Sequence, residues 1–191
     1  ITDTSGTDTI FVVGLATADS FTASASAVVL GSETVIYDGT IEAVDIAANS
    51  GGDTFNVSPS TTTAFLIHGA APTAPALSTG DFLNLNVTGT TGATMTPWGV
   101  GAGDWTFSNR QSVTFDGIER MTPGITISGR VFNDLDGNGN DNGGSDPTQI
   151  GVTVNLDSLA DGIGDFSTVN LAGGYVFSDL APGTYRVRQN V

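Results

Sequence analysis

The run from Asn133 to Pro147 holds the residues best suited to chemistry. Asp134, Asp136 and Asn138 alternate, and Gly139 follows where a tight loop must turn. This is the first half of the pattern D-x-[DN]-x-[DN]-G. Calcium takes about six to eight hard oxygen ligands and tolerates irregular geometry. Alternate side chains of a curling loop point inward, so these three would converge on one ion, with the Asn140 carbonyl next in the usual ligand order. The second half departs from the pattern. Ser145 stands where a bidentate Glu belongs. Asp146, one residue later, serves if the loop carries a one-residue insertion, and Asp141 is the other candidate. An Asn/Asp/Gly turn without metal is the competing reading, because these residues favour turns. Calcium is favoured here. Asp134, Asp136, Asp141 and Asp146 crowd one segment with no Lys or Arg among them, and a divalent cation removes their mutual repulsion.

The flanks decide what positions this loop. An EF-hand requires helices on both sides. Upstream, Ile125, Ile127 and Val131 are spaced for a strand, and downstream Val152-Thr153-Val154-Asn155-Leu156 also alternates. The loop therefore joins β-strands.

No helical periodicity of useful length occurs elsewhere. Strand-like runs are expected at 8–13, 20–30, 34–37, 41–47, 54–57, 64–68, 82–87, 105–108 and 113–115, separated by Asp-Gly and Gly-Gly turns. An imperfect duplication is also visible. Gly6-Thr7-Asp8-Thr9-Ile10-Phe11-Val12 matches 51–57, the segment from Val35 to Glu42 matches 113–119, and Ala18-Asp19-Ser20-Phe21 loosely matches 80–83. The second copy is longer through insertions at 69–80 and 88–103. Such strands suit a repeat-built β-solenoid, in which each coil covers the last, or a β-sandwich. Gly51-Gly52-Asp53-Thr54-Phe55 also resembles half of a calcium-binding β-roll repeat. Its tandem Gly-x-Asp half is missing, so calcium is not expected there. Met121-Thr122-Pro123-Gly124 breaks the pattern, which divides the chain into 1–122, a repeat-containing β domain, and 123–191, a second β domain.

With 191 residues the chain can bury one or two cores, and its formal net charge is −15. All five basic residues are Arg. Nucleic acid is a poor partner because little is present to neutralise phosphates, and no membrane insertion is expected because no long apolar run occurs. Cysteine is absent, which excludes disulfides, thiolate metal sites and a Cys nucleophile. The chain reads as a mature segment, or one repeat, of something larger.

From 125 onward the sequence resembles the SdrD B-like (Cna-B-like) repeat of bacterial surface proteins. The resemblance rests on Val131-Phe132, Asp134-Leu135-Asp136-Gly137-Asn138-Gly139, Asp146-Pro147, Gly151-Val152-Thr153-Val154-Asn155-Leu156, and the closing run from Gly173 through Tyr175, Phe177, Leu180, Pro182-Gly183 and Tyr185 to Val187. It implies a seven- or eight-stranded Ig-like sandwich, stiffened by calcium and used as a spacer or stalk in surface adhesins. Asp146 stands where that family usually has Glu, which shortens the ligand's reach. A second acidic loop often follows in the family; Asp157, Asp161 and Asp165 form a weaker second candidate site. The Lys–Asn isopeptide bond of some relatives cannot form here, since Lys is absent. The first 121 residues resemble repeats in long secreted proteins of planctomycete-type bacteria, a resemblance that implies no activity.

Enzyme readings are weaker. His68 is the single histidine, and a buried or edge-strand position is expected for it, with no nucleophile-elbow pattern to make it a base. Asp116 and Glu119 could pair for glycoside hydrolysis, but they belong to the duplicated Asp-Gly-(x)-Ile-Glu element, which points to structure. Trp98 and Trp105 are candidates for stacking on sugar. Asn56 and Asn86 head glycosylation sequons. The expectation is an extracellular, cell-surface structural segment, a stalk, fibre or filament subunit that is not an enzyme. Calcium is its cofactor, and it associates with copies of itself or with neighbouring modules. The alternative is an adhesin that binds carbohydrate or protein through loops of the first domain.

Overall fold

The computed structural model describes residues 1–3, 5–70, 80–157, 166–170 and 172–190. Apart from one short 3-10 turn, the regular structure among these residues is all β. The chain divides into two compact units, one of residues 1–124 with 179–183, the other of 125–178 with 184–191.

The first unit contains β1 (Thr9–Val13), β2 (Ser20–Ala23), β3 (Ala27–Leu30), β4 (Glu33–Ile36), β5 (Ala43–Ala47), β6 (Thr54–Val57), β7 (Ala64–His68), β8 (Phe82–Leu85), β9 (Thr94–Gly99), β10 (Ala102–Thr106), β11 (Val113–Asp116) and the start of β12 (Arg120–Arg130). One sheet runs in the order β1-β5-β7-β11-β10-β9, and the other from β12 through β8, β6, β2 and β3 to β4. The chain alternates between them. It passes from β1 to β2, from β5 to β6, from β7 to β8 and from β11 to β12. Each pass lies parallel to the one before, in both sheets. The antiparallel strands β3, β4, β9 and β10 are hairpin additions to this frame.

Period-two alternation makes the two sheets share one core. In β5, β6 and β7 every second residue is buried. Parallel register then aligns like with like: Phe21 with Phe55, Phe55 with Leu83, and Leu83 with Met121 in one sheet; Ile46 with Ile67 and Ile67 with Phe115 in the other. All of these are fully buried in a single cluster. The Phe21 and Phe55 rings stack at 5.2 Å. Burying each such side chain stabilises the fold by about 1.5–3 kcal/mol. Two sheets on a common core form a β-sandwich, with parallel ladders that arise from the alternation.

Three expectations change. The run 20–30 is two strands, because the Ala-Ser-Ala-Ser stretch turns: Ser24 donates its amide to the Ala27 carbonyl at 3.0 Å, and its hydroxyl to the same carbonyl at 3.2 Å. The insertion at 88–103 contains β9 and the start of β10. Pro97 obscured β9, but β9 is an edge strand, where proline is tolerated. The first match of the apparent duplication does not superpose. Residues 9–12 lie in the first sheet and 54–57 in the second, whereas Phe21 and Leu83 do occupy equivalent positions. Most of the other insertion, 71–79, lies outside the described residues.

The second unit contains the remainder of β12, the 3-10 turn Gly143–Ser145, β13 (Thr153–Asp157), β14 (Phe166–Val169), β15 (Gly174–Leu180, its last two residues in the first unit) and β16 (Arg186–Gln189). β13 lies between β14 and β16, antiparallel to both, and β15 neighbours β12. Val131, Val154, Leu156 and Phe177 are buried. Gly129 is required by close approach, since a Cβ there would lie 2.3 Å from the Tyr175 hydroxyl. These described strands are fewer than the seven or eight implied by resemblance, and residues 158–165 are outside the description.

Candidate metal centre

The strand β12 delivers the chain to the acidic loop, and backbone bonds close the loop's base. The Asn133 amide donates to the Pro147 carbonyl at 2.9 Å, the Gln149 amide to Val131 at 2.9 Å, and Phe132 bridges Thr148. Between these points the Asp and Asn side chains organise the turns. Asp134 accepts the amides of Asn138 at 3.2 Å and Gly139 at 2.7 Å. Asp136 accepts the Asn138 amide at 3.1 Å and the side-chain amides of Asn138 and Asn142 at 2.8 and 3.1 Å. Gly137 and Gly139 have φ of +70° and +75°, which a Cβ would oppose.

Asp146 is the buried member. Its residue is 1% exposed, and its two oxygens accept the amides of Leu135 at 3.1 Å and Asn142 at 2.9 Å. One carboxylate oxygen from each of Asp134, Asp136 and Asp146 lies within 4.8 Å of the others. These hard oxygens fit calcium, as they fit other hard divalent cations. The backbone amides, that of Gly139 foremost, hold the Asp134 carboxyl below its ordinary range, so it stays ionised.

The other predicted ligands make hydrogen bonds or ion pairs of their own. The Asn138 side-chain oxygen accepts the Asn140 amide at 2.7 Å, and the Asn140 side chain donates to the Asn138 carbonyl at 3.2 Å. Asp141 is paired with Arg130, which holds its carboxyl below the usual range. Arg130 also donates to the Asp146 carbonyl at 2.9 Å. Arg130 thus ties the loop's rim to β12, and no ion pair among the described residues involves Asp134, Asp136 or Asp146. In the weaker second site, Asp157 is buried and 3.4 Å from Arg188; Asp161 and Asp165 lie outside the described residues.

His68 sits on central strand β7, not on an edge and not buried. Its Nδ1 is 2.8 Å from Asp116 and its Nε2 3.4 Å from Asp45. Both nitrogens therefore face carboxylates, and neither is directed at a hydroxyl nucleophile. Asp116 is taken up by His68, while Glu119 accepts the Asp81 amide at 2.6 Å. Trp105 is buried and stacked on Phe107 at 6.5 Å, whereas Trp98 on β9 is 57% exposed. Asn56 accepts from the Asn84 side chain at 2.9 Å, and Asn86 accepts the Thr88 amide at 3.0 Å.

Sequence reasoning missed a row of acids in the first unit. Asp19, Asp53, Asp81 and Glu119 each immediately precede a strand of the second sheet. The Asp19 amide donates to Asp53 at 2.7 Å, the Asp53 amide to Asp81 at 2.7 Å, and the Asp81 amide to Glu119 at 2.6 Å. The available signal was the acidic residue at the start of each strand.

The second unit is thus an Ig-like β domain with an acidic loop between strands. Its sequence, residues 125–191, matches the family model of the SdrD B-like domain, a structural domain of bacterial surface proteins. Comparison of the chain with curated proteins and with solved structures gives no match. Among the described residues, no helix is long and apolar enough to cross a membrane.

Proposed function

We propose that this chain is a structural segment of a bacterial surface or matrix protein, a stalk or fibre unit whose second domain is stiffened by calcium. The observation that carries this reading is the convergence of the Asp134, Asp136 and Asp146 carboxylates within a domain of surface-protein type. Those three side chains would hold the ion, with oxygens of Asn138 and Asn140 as further candidates. Calcium would supply charge neutralisation and a crosslink across the loop; Arg130 would keep Asp141 turned to the rim. No catalytic role is assigned to any residue. Thermal unfolding with calcium and with chelator tests the reading. A second-unit transition indifferent to calcium would overturn it.

The fibre role finds support at β1, an edge strand with Phe11 and Val13 exposed at 71% and 62%. An open strand edge can accept a strand from a second copy or a neighbouring module. Analytical ultracentrifugation of the wild type and Phe11→Lys distinguishes assembly through this edge from its absence. A second reading, a carbohydrate-binding adhesin, is favoured by the exposure of Trp98 alone. Selective glycan-array binding lost in Trp98→Ala would support it, and an array without binding would remove it.

A further inference from the structure

The row Asp19, Asp53, Asp81 and Glu119 has the geometry of a ladder. Each rung donates its amide to the carboxylate of the next, at 2.6–2.7 Å. At the first rung the Asp19 carboxylate accepts the Leu15 amide at 2.6 Å instead. The row stands where the chain enters the second sheet, one residue before Ser20, Thr54, Phe82 and Arg120, which are themselves in register. Gly69 makes room for it, since a Cβ there would lie 2.6 Å from an Asp81 oxygen.

Amides satisfy only part of each central carboxylate. Asp53 and Asp81 are 0% and 1% exposed, and Oδ2 of each is buried without a hydrogen-bond partner. The groups facing this pair are acids as well, Asp19 on one side and Glu119 on the other. Arg120, which follows Glu119, lies over the Phe82 ring at 5.1 Å and approaches Asp179 at 4.0 Å. No described ion pair links a cation to any of the four acids. Buried like charges with open acceptor oxygens require a proton. A proton on Asp81 converts an acceptor-only oxygen into a donor, and the Asp53 carboxylate is its hydrogen-bond partner.

We infer that the Asp19–Asp53–Asp81–Glu119 ladder is a proton-binding switch: a proton carried by Asp81 and shared with Asp53 locks the successive windings of the first unit, and its loss loosens them. Burial pushes the Asp81 carboxyl up to about 8, with Glu119 and Asp53 adding to it, and pushes Glu119 up to about 7. The ordinary values are 3.8 and 4.5. The folded unit therefore holds protons that the unfolded chain has released. The stabilisation is complete below the unfolded values and is lost as pH rises through about 7 to 8. The module is tightened by mild acid and loosened by mild alkali.

The test is equilibrium urea unfolding of the full chain from pH 5 to pH 9 in excess chelator, so that calcium plays no part. Both tryptophans, Trp98 and Trp105, lie in the first unit, so their fluorescence reports it alone. Each extra proton bound in the folded state makes the unfolding constant rise about tenfold per pH unit, so with Asp81 and Glu119 both protonated the rise is steepest between about pH 5 and 7 and fades above about pH 8. Asp81→Asn keeps the acceptor for the Asp53 amide and supplies a permanent donor. It is expected to flatten the profile and to exceed the wild type in stability at pH 9. A flat wild-type profile, or a variant that keeps the wild-type slope, would overturn the inference. Carbon-13 titration of the wild-type carboxyl groups gives an independent reading that needs no variant. An aspartate signal moving near neutral pH supports the switch, and all aspartates titrating below pH 5 would overturn it.

Discussion

Consider calcium removal from the second unit, followed by the double substitution Asp134→Ala with Asp136→Ala. Calcium takes about six to eight oxygens, and side chains supply three convergent carboxylates. A calcium ion held there would draw the rest from carbonyls, side-chain amides and water, and a Kd of roughly 0.1–1 mM, as in weaker extracellular modules, is expected. Preorganisation works the other way. Asp146 is already fixed by two backbone amides and Asp134 by two more, so little side-chain ordering remains to oppose binding. At about 10 mM free calcium, mass action stabilises the folded unit by about 1.4–2.7 kcal/mol. For a unit of this size each kcal/mol moves Tm by about 4–8 °C, so a rise of roughly 6–20 °C is expected.

Differential scanning calorimetry in calcium and in chelator measures this directly. Two transitions are expected from two compact units, of which one moves. In the double variant the calcium-dependent shift disappears. The comparison is made within each protein, so turn hydrogen bonds lost with Asp134 cancel from it. A wild-type shift below about 2 °C at 10 mM calcium would refute the Kd range used here. An undiminished shift in the double variant would refute the site itself.

Other outcomes follow from the same contacts. Asp146→Ala should destabilise the second unit by about 1–3 kcal/mol even in chelator, because it leaves the part-buried amides of Leu135 and Asn142 without their acceptor; chemical denaturation in chelator measures this. Phe55→Ala removes a fully buried ring stacked on Phe21 and should cost about 3–5 kcal/mol in the first unit, read from the shift of its urea midpoint. Trp105→Ala should lower the stability of the same unit by a similar amount, whereas Trp98→Ala on the exposed face of β9 should stay within about 0.5 kcal/mol. Gly129→Ala should destabilise the second unit, because the new methyl meets the Tyr175 ring; thermal unfolding of Gly129→Ala alone and combined with Tyr175→Ala checks it, and relief in the double variant is the expected result.

Local patterns were legible where each residue answers to its immediate neighbours. The strand-like runs 41–47, 54–57 and 64–68 hold β5, β6 and β7, in which every second residue is buried. The alternation of Asp134, Asp136 and Asn138 announced an acidic loop, with Asp146 and Asp141 as alternatives to complete it, and one carboxylate oxygen each of Asp134, Asp136 and Asp146 lies within 4.8 Å of the others. Asp141 was harder to read. It was read as a candidate ligand, but it pairs with Arg130 at the end of the preceding strand, brought near by the closure of the loop's base.

The acidic ladder shows a different kind of illegibility. A repeat is found in sequence by a constant period, yet the rungs lie 34, 28 and 38 residues apart. The period varies because what intervenes varies: β3 and β4 fall within the first interval and β9 and β10 within the last. The string match between 6–12 and 51–57 was better than any match among the rungs, and it joined segments of different sheets. Hydrogen bonding between windings constrains the single residue at which the chain turns into the second sheet, and leaves the length of the excursion free. The retained signal is therefore one acid followed by a short strand with an inward residue two positions on: Asp19 with Phe21, Asp53 with Phe55, Asp81 with Leu83, Glu119 with Met121. That rule, in place of a fixed period, is what a winding chain imposes on its sequence, and it carries both the hydrophobic stack and the buried charge.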